Sequence, residues 1–367
     1  MKITFPHMGS LAVPLKTIFE ELGQEVVAPP PITKKTVTRG VRHSPEFACF
    51  PLKVNLGNFI EALENGADTI IMAGGVGPCR FGYYAEVHRE ILADLGHDFE
   101  LIVLEPPQGS LWGLLANIKR LGNHRSWPEI WQVIRLAWEQ VLALDVLHKT
   151  SLKIRPYEKK RGTTTVAYEK GQKLVEKART HVDISRALEE GKKLIESVEQ
   201  KDLTQPPLKI GIVGEIYMVL EPYANLDIEK TLGEMGVEVN RSIYLGHWIK
   251  EHLFPKIFST GEGEEIRKAA EGYLNHFVGG HGLESVGKTI LYARDNFDGV
   301  IHVLPFTCTP EIVAQSILPQ ASKDLNIPFI SFSLDEHSGK AGFVTRLEAF
   351  LDLLSQKKNN QELKGAV

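Results

Sequence analysis

Strand-like apolar runs alternate with helix-like amphipathic runs in the first part of this chain, and this alternation restricts the fold most strongly. Strand patterns occupy residues 2–8, 25–30, 68–74 and 99–107, and helix patterns occupy residues 11–23, 51–66 and 83–96. Such alternation is typical of βαβ units with a parallel sheet. Each of these helix patterns ends in glycine, the residue favoured after a helix C-terminus.

The same alternation returns near the end of the chain. Strand patterns lie at 208–214, 237–244, 299–306 and 328–334, with helix patterns between and after them. Residues from about 110 to 205 show only helical periodicity. We therefore expect an α/β protein with two Rossmann-like or flavodoxin-like parallel-sheet domains that face each other, connected by a helical bridging element. The expected segments are an N-terminal α/β domain (1–115), a helical segment (116–205), a C-terminal α/β domain (206–356) and a disordered tail (357–367).

Length, charge and hydropathy narrow the class of protein. A chain of 367 residues is longer than a single hydrophobic core usually accommodates, which favours two domains. Its net charge is −4 and it has no basic stripe, which argues against a nucleic-acid partner. No apolar run approaches the roughly 18 residues of a membrane helix. The first residues, MKITFPHMGS, are typical of a strand rather than of a signal peptide, so we expect a cytoplasmic protein without a membrane partner.

The chain has three cysteines, Cys49, Cys79 and Cys308, and an odd number argues against a disulfide framework. Cys49 and Cys308 are each followed by x-Pro and a helix pattern, and Cys79 follows a Gly-Pro turn and precedes a helix pattern. Cys79 and Cys308 also follow apolar strand patterns. Ligands bind outside the carboxyl ends of such strands, so the three thiols could converge in a crevice between the domains.

Three helix-starting cysteines suit a metal or an iron–sulfur cluster, because helix N-termini favour the thiolate. Structural zinc usually has four ligands in closely spaced pairs, and no Cys-x-x-Cys occurs here. A [4Fe–4S] cluster with three thiolates would leave one iron open. The alternative is that the cysteines are structural or redox thiols.

A segment at residues 282–289, GLESVGKT, matches the P-loop pattern of nucleotide-binding proteins. A P-loop requires a buried strand before the glycines, whereas a helix pattern and a glycine turn precede this segment. No strand ending in an acidic magnesium ligand follows. A glycine turn that starts a helix is the preferred interpretation, and a P-loop ATPase is the less favoured one.

The motifs GPCRFGYY, PFTCTPE and GEIY resemble those of the cluster-carrying component (component D) of the 2-hydroxyacyl-CoA dehydratases. That superfamily also includes benzoyl-CoA reductase subunits and double-cubane cluster proteins, and the chain is most similar to its dehydratase-like, CoA-activase-associated branch. The resemblance implies a [4Fe–4S] cluster held by Cys49, Cys79 and Cys308. It also implies a partner, an ATP-dependent activase of the actin/Hsp70-like fold that carries its own cluster and supplies low-potential electrons. The dehydratases pair two related subunits, so a homodimer or a paralogous subunit is a further possible partner here.

Five polar residues near the expected strand ends are candidates for contacts with the cluster or a substrate: Arg80, Glu215, Tyr217, Asp335 and Arg346. The competing interpretations are a solvated arginine for Arg80, capping or core packing for Glu215 and Tyr217, and a solvated loop for the other two. His302, within an apolar strand pattern, is expected to be a core histidine.

The sequence alone does not decide whether the protein is an enzyme. The first hypothesis is a dehydratase-like or reductase-like iron–sulfur protein that receives electrons from the activase for reductive or radical chemistry. The alternative is a non-catalytic cluster-binding protein for electron transfer or cluster assembly. Neither the catalytic residues nor the substrate can be named from these motifs.

Overall fold

The computed structural model describes residues 1–75, 78–104, 111–202, 205–253 and 261–365. Contacts divide the chain into two compact units. The first unit comprises Met1–Asp145 and Lys173–Leu188, and the second comprises Val146–Gln172 and Glu189–Val367. Each unit contains one four-stranded, all-parallel sheet surrounded by helices, which confirms the predicted α/β class with two parallel-sheet domains.

The sheet of the first unit has the strand order β2–β1–β3–β4. The strands are β1 (Lys2–Thr4), β2 (Glu25–Val26), β3 (Thr69–Ala73) and β4 (Glu100–Leu104). The helices that connect and follow them are α1 (Ala12–Glu21), α2 (Lys34–His43), α3 (Phe50–Glu64) and α4 (Tyr84–Asp94). Apolar side chains of β1, β3 and β4 pack against α1, with Ile3, Phe19 and Ile71 in one buried cluster.

Helices α2 and α3 cross with their backbones in contact at two glycines. A Cβ atom added to Gly40 would lie 1.7 Å from the carbonyl oxygen of Lys53, and one added to Gly57 would lie 1.9 Å from the carbonyl oxygen of Thr36. Only glycine permits this approach. Helix α2 was not predicted from the sequence, because four of its ten residues are Lys or Arg and it contains few apolar side chains. The reciprocal hydrogen bonds of Thr33 and Thr36 mark its start.

Four further helices separate the two sheets along the chain: α5 (Leu111–Leu121), α6 (Trp127–Ile154), α7 (Thr163–Lys177) and α8 (His181–Glu196). This is the helical segment expected from the sequence pattern. The divisions between the two units fall within α6, α7 and α8, so these helices contribute residues to both units. The domain boundaries derived from the sequence stay predictions.

The sheet of the second unit has the strand order β6–β5–β7–β8, the same topology as the first. The strands are β5 (Lys209–Gly214), β6 (Glu238–Arg241), β7 (Gly299–Pro305) and β8 (Phe329–Leu334). The helices are α9 (Ile216–Leu220), α10 (Ile228–Glu234), α11 (Leu245–Leu253), α12 (Glu262–Ala270), α13 (Gly282–Arg294), α14 (Thr309–Leu325) and α15 (Lys340–Gly365). Helix α15 continues past residue 357, where the sequence predicts a disordered tail, and no glycine or proline interrupts residues 343–364.

Both strand orders contain a switch point, the position in a sheet where successive connections leave in opposite directions. It lies between β1 and β3 in the first sheet and between β5 and β7 in the second. Ligands of open parallel sheets bind outside the carboxyl ends of the strands at such a point. Cys79 follows β3, whereas Glu215 follows β5 and Cys308 follows β7. The topology therefore places these residues where a ligand site is expected in each sheet.

Among the residues that the structure describes, no helix combines the length and the apolar character needed to cross a membrane.

Candidate functional site

Cys49 occupies the N-cap position of α3, with Pro51 in the first turn of the helix. Its side chain is buried in a cluster with Met72 of β3 and with Tyr84. The Cys49 Sγ atom lies 2.6 Å from the Tyr84 hydroxyl oxygen. A phenol hydroxyl can donate to a thiolate, so this contact can stabilise the ionised thiol.

Cys79 is the N-cap of a short 3₁₀ turn, Arg80–Tyr83, which leads into α4. Its side chain is half-buried. The adjacent Arg80 donates from Nη1 to the carbonyl oxygen of Phe47, at 2.9 Å. This bond and the Cys49–Tyr84 contact join the segment before α3 to the segment after β3. The first unit thus brings the surroundings of Cys49 and Cys79 together at the carboxyl end of β3.

His88 supports this region from within the protein. Its Nε2 lies 3.1 Å from the carbonyl oxygen of Leu52, to which it donates, and its ring packs edge-to-face with Phe59 and with Tyr84. Burial lowers the pKa of His88 to about 4. The imidazole is therefore neutral near pH 7, and its role is to hold α4 against α3.

Cys308 is the N-cap of α14, with Pro310 in the first turn, and its side chain is buried. The preceding residue, Thr307, has φ = +69°. A β-branched residue in the left-handed region is a genuine outlier, and such strain costs of order 1–3 kcal/mol and clusters at functional sites. All three cysteines thus begin helical segments, as the sequence predicts.

A buried polar network lies behind the start of α14. The Nε2 atom of His302 in β7 lies 2.8 Å from Oε2 of Glu311, and both residues are 0% exposed. Ser285 of α13 donates to the same carboxylate oxygen at 2.8 Å. The second ring nitrogen of His302 lies 3.0 Å from the Ser331 hydroxyl. His302 is therefore a core histidine, as the sequence suggests, and each ring nitrogen has a hydrogen-bond partner. Glu311 is the acidic one of these two partners.

Glu215 and Tyr217 follow β5 at the switch point of the second sheet. Glu215 is the N-cap of α9 and accepts a hydrogen bond from the Met218 amide at 3.1 Å. Burial raises the pKa of Glu215 to about 7, and the negative charge of Glu311 adds to the effect. Tyr217 is buried, its hydroxyl has no hydrogen-bond partner among the described residues, and burial raises its pKa.

Asp335 and Arg346 make local contacts in the second unit. Asp335 accepts from the His337 amide at 3.0 Å and from the Ser338 hydroxyl at 2.9 Å. Arg346 donates to the carbonyl oxygen of Ser331 at 3.0 Å and stacks over the Phe332 ring. These contacts hold the turn after β8 and the start of α15. A role for either residue in binding stays a prediction.

The P-loop-like segment lies entirely within α13, which starts at Gly282. No loop is therefore present to surround a phosphate, and the P-loop interpretation is wrong. Lys288 forms an ion pair with Glu262, which also contacts His247 at 2.7 Å. These side chains lie beside a cleft of about 450 Å³, which Lys288, His247 and Glu284 help to line.

A family of known proteins is similar to part of this chain. Residues 7–73 match the family described as CoA enzyme activase uncharacterised domain (DUF2229). The matched segment begins shortly after β1, ends with β3, and includes Cys49 and the α2–α3 crossing. This part of the chain is thus similar to a domain associated with CoA enzyme activases. No curated protein matches the chain.

The donor chemistry of the cysteines suits an iron–sulfur cluster, because thiolates are its usual ligands and helix N-termini favour thiolates. The described residues contain no group of three or more His, Cys, Asp or Glu side chains that could hold a metal ion. The cluster itself therefore stays a proposal.

Sequence reasoning missed three of the groups described above: Tyr84, Glu284 and Glu311. Tyr84 ends the motif GPCRFGYY, and Glu311 ends the motif PFTCTPE, three residues after Cys308. Their positions in these cysteine-containing motifs were the sequence signal that could have identified Tyr84 and Glu311. Glu284 lies inside the P-loop-like segment, where attention to glycines and Lys288 gave no signal for it.

Proposed function

We propose that this chain is an iron–sulfur protein that acts with a CoA enzyme activase, and that Cys49, Cys79 and Cys308 hold a [4Fe–4S] cluster. The observation that carries the proposal is the shared position of the three thiols, each at the N-cap of a helical segment. A common placement of all three is unexpected for thiols that only fill space in the core.

The surroundings of the thiols support their ionisation. The amide groups and the dipole at a helix N-terminus stabilise a negative charge, and the Tyr84 hydroxyl contacts Cys49 directly. Arg80 adds a fixed positive charge next to Cys79 in the sequence. Its bond to Phe47 holds the guanidinium beside the segment that leads to Cys49, so Arg80 can offset the charge of the thiolates.

The bound cluster would supply one-electron transfer at a low potential. Three thiolates leave one of four irons without a cysteine ligand, so that position could accept a small molecule. The match at residues 7–73 supports association with an activase system. The finer proposal is that an ATP-dependent activase donates the electron and that a dehydratase-like or reductase-like reaction follows.

The first experiment measures the cluster directly. Protein purified without oxygen should contain about four irons and four sulfides per chain if one [4Fe–4S] cluster is present. Cys49→Ala, Cys79→Ala and Cys308→Ala should each lose iron or convert the cluster. Thr33→Ala is the matched control, because Thr33 caps the neighbouring helix α2 without a thiol. Full iron content in all three cysteine variants would contradict the assignment.

A second experiment separates catalysis from electron transfer. The reduced protein is mixed with cyanide, exogenous thiols or acyl-CoA thioesters, and its electron paramagnetic resonance spectrum is recorded. A ligand-dependent spectrum supports an open iron, and turnover with an activase, ATP and a reductant supports an enzyme. A spectrum that no ligand changes favours a closed electron-transfer cluster.

A further inference from the structure

The cleft of about 450 Å³ in the second unit is lined by residues of helices α11, α12 and α13. This volume falls in the range of small-molecule binding sites, roughly 300–1,000 Å³. Apolar side chains from the three helices, Trp248, Ile266 and Leu283, form part of the wall. Polar side chains from the same helices form the rest, and their hydrogen bonds indicate which kind of ligand the cleft can hold.

Two basic side chains on the wall share one carboxylate partner. Lys288 of α13 pairs with Glu262 of α12, and Nε2 of His247 in α11 lies 2.7 Å from the same carboxylate. Hydrogen bonds from His247 and Lys288 lower the pKa of Glu262 to about 2, so Glu262 is ionised at neutral pH. The charge of Lys288 is therefore balanced within the wall, and the ion pair provides little attraction for an anionic ligand.

Trp248 and His281 form a second hydrogen-bonded pair on the wall. The indole Nε1 of Trp248 donates to Nε2 of His281 at 3.0 Å. Because Nε2 accepts, the imidazole is neutral and carries its proton on Nδ1. This bond uses the only donor of the indole and holds its ring in place, so Trp248 presents a fixed aromatic surface to the cleft.

Glu284 differs from these groups, because one of its carboxyl oxygens lacks a donor. Glu284 lies in the first turn of α13 and lines the cleft. Its Oε2 is buried and has no hydrogen-bond partner in the part of the chain that the structure describes. Burial raises the pKa of Glu284 to about 7, and the charge of Glu311 adds to this shift, which the amide of Glu284 itself opposes in part. A ligand that brings a positively charged hydrogen-bond donor would satisfy this oxygen and favour the ionised carboxylate.

We infer that the cleft binds a small molecule with a primary amine, whose ammonium group donates to Glu284 while its carbon skeleton packs against Trp248 and Leu283. When the amine binds, a protonated Glu284 releases its proton to water and no covalent bond of the ligand changes. The contact is then a charge-assisted hydrogen bond, which is stronger than a neutral one. This site needs neither the cluster nor the activase and goes beyond the proposed function.

Other titratable and charged groups also affect the pH dependence of amine binding. On the wall these are His247 and Glu251 of α11, Glu264 and Arg267 of α12, and His281 and Lys288 beside or within α13. Glu311 of α14, which pairs with His302 of β7, acts on Glu284 through its charge. A histidine can also lose a proton near neutral pH. The test must therefore assign the released proton by substituting Glu284 itself.

The test is calorimetry of the full-length chain with n-butylammonium, with n-butanol and butyrate as neutral and anionic probes of the same length. We expect saturable binding of butylammonium at least about tenfold tighter than that of either other probe. Its affinity should rise from about pH 6 to 8 and then level off, because Glu284 must lose its proton at the lower pH. Glu284→Gln should weaken the binding by at least about tenfold and remove this pH dependence. Glu265→Gln, at an exposed position of α12 outside the wall of the cleft, removes the same charge and should change neither.

The indole N–H resonance of Trp248, identified by its absence in Trp248→Phe, reports whether the amine binds in this cleft. It should shift over the same range of butylammonium concentration as the calorimetric signal. The inference is overturned if butylammonium does not saturate the wild-type protein, if butanol or butyrate binds as tightly, if the Trp248 resonance does not shift, or if folded Glu284→Gln binds like wild type. The three probes decide the question on the wild-type protein even if that variant does not fold. Because no readout needs iron, failure here is distinguishable from failure of the cluster proposal.

Discussion

Replacing Gly40 with alanine tests whether the α2–α3 crossing determines the position of Cys49. An alanine Cβ at residue 40 would lie 1.7 Å from the Lys53 carbonyl oxygen, whereas an ordinary C···O contact is about 3.3 Å or longer. The obstacle is backbone, so it cannot rotate away, and the two helices must separate locally by roughly 1.5 Å. Since α3 begins at Cys49, its displacement should also disturb the Cys49–Tyr84 contact.

The expected loss of stability in Gly40→Ala follows from two opposed effects. Alanine is better than glycine in a helix by about 1 kcal/mol. Overpacking typically costs about 1–3 kcal/mol, occasionally more. Because the Lys53 carbonyl is backbone and cannot rotate away, we expect a cost at or above the upper end of this range. We expect Gly40→Ala to lower the free energy of unfolding by about 2–3 kcal/mol. For a unit of this size, that corresponds to a decrease of roughly 4–12 °C in Tm.

Denaturant and thermal unfolding measure this effect, and the alkylation rate of Cys49 reports the local disturbance. Gly113→Ala is the matched control, because Gly113 is also helical but a Cβ there meets nothing within 4 Å. That variant should be as stable as the wild type or more stable by up to about 1 kcal/mol. If Gly40→Ala behaves like Gly113→Ala, the close crossing is not a constraint and the reasoning is refuted.

Three further predictions concern single contacts. Burial alone would raise the pKa of Glu229, but His148 and Arg241 lower this pKa to about 2. The ionised Glu229 therefore stabilises the fold at pH values above its pKa in the unfolded chain, about 4.3, and this stabilisation is lost as the pH falls toward 2. Glu229→Gln should therefore cost about 3–5 kcal/mol at pH 7 in denaturant unfolding, and the difference from wild type should shrink below pH 4; a pH-independent difference would contradict this. Tyr84→Phe should slow alkylation of Cys49 at pH 7 by at least about tenfold in cluster-free protein, because the hydroxyl no longer stabilises the thiolate; an unchanged rate would show that the contact does not stabilise it. Lys288→Ala should bind nucleotides as the wild type does when measured by calorimetry, because Lys288 lies in a helix and pairs with Glu262. An ATP affinity that is present in the wild type and lost in the variant would support the P-loop interpretation instead.

Local sequence patterns determined the elements of the fold and the helix-starting position of each cysteine. Apolar runs and glycine stops identify the strands and their following helices because backbone preference and burial act over a few neighbouring residues. The Cys-x-Pro pattern predicts a helix start for the same reason, since proline suits the first helical turn. Helix α2 was not predicted because four of its ten residues are Lys or Arg, and because its contact with α3 is made by glycine backbones that leave no run of apolar residues.

The tertiary structure alone decided which side chains meet. Tyr84 contacts Cys49 across 35 residues of sequence, and Ser285 reaches Glu311 across 26. The raised pKa of Glu284 depends on its burial beside Glu311, which belongs to a different helix. The segment at 282–289, for which the sequence favours a glycine turn that starts a helix over a P-loop, is helical, and its lysine has a carboxylate partner. These features depend on strand order and helix packing, which arise from contacts between distant residues and leave no short-range pattern in the sequence.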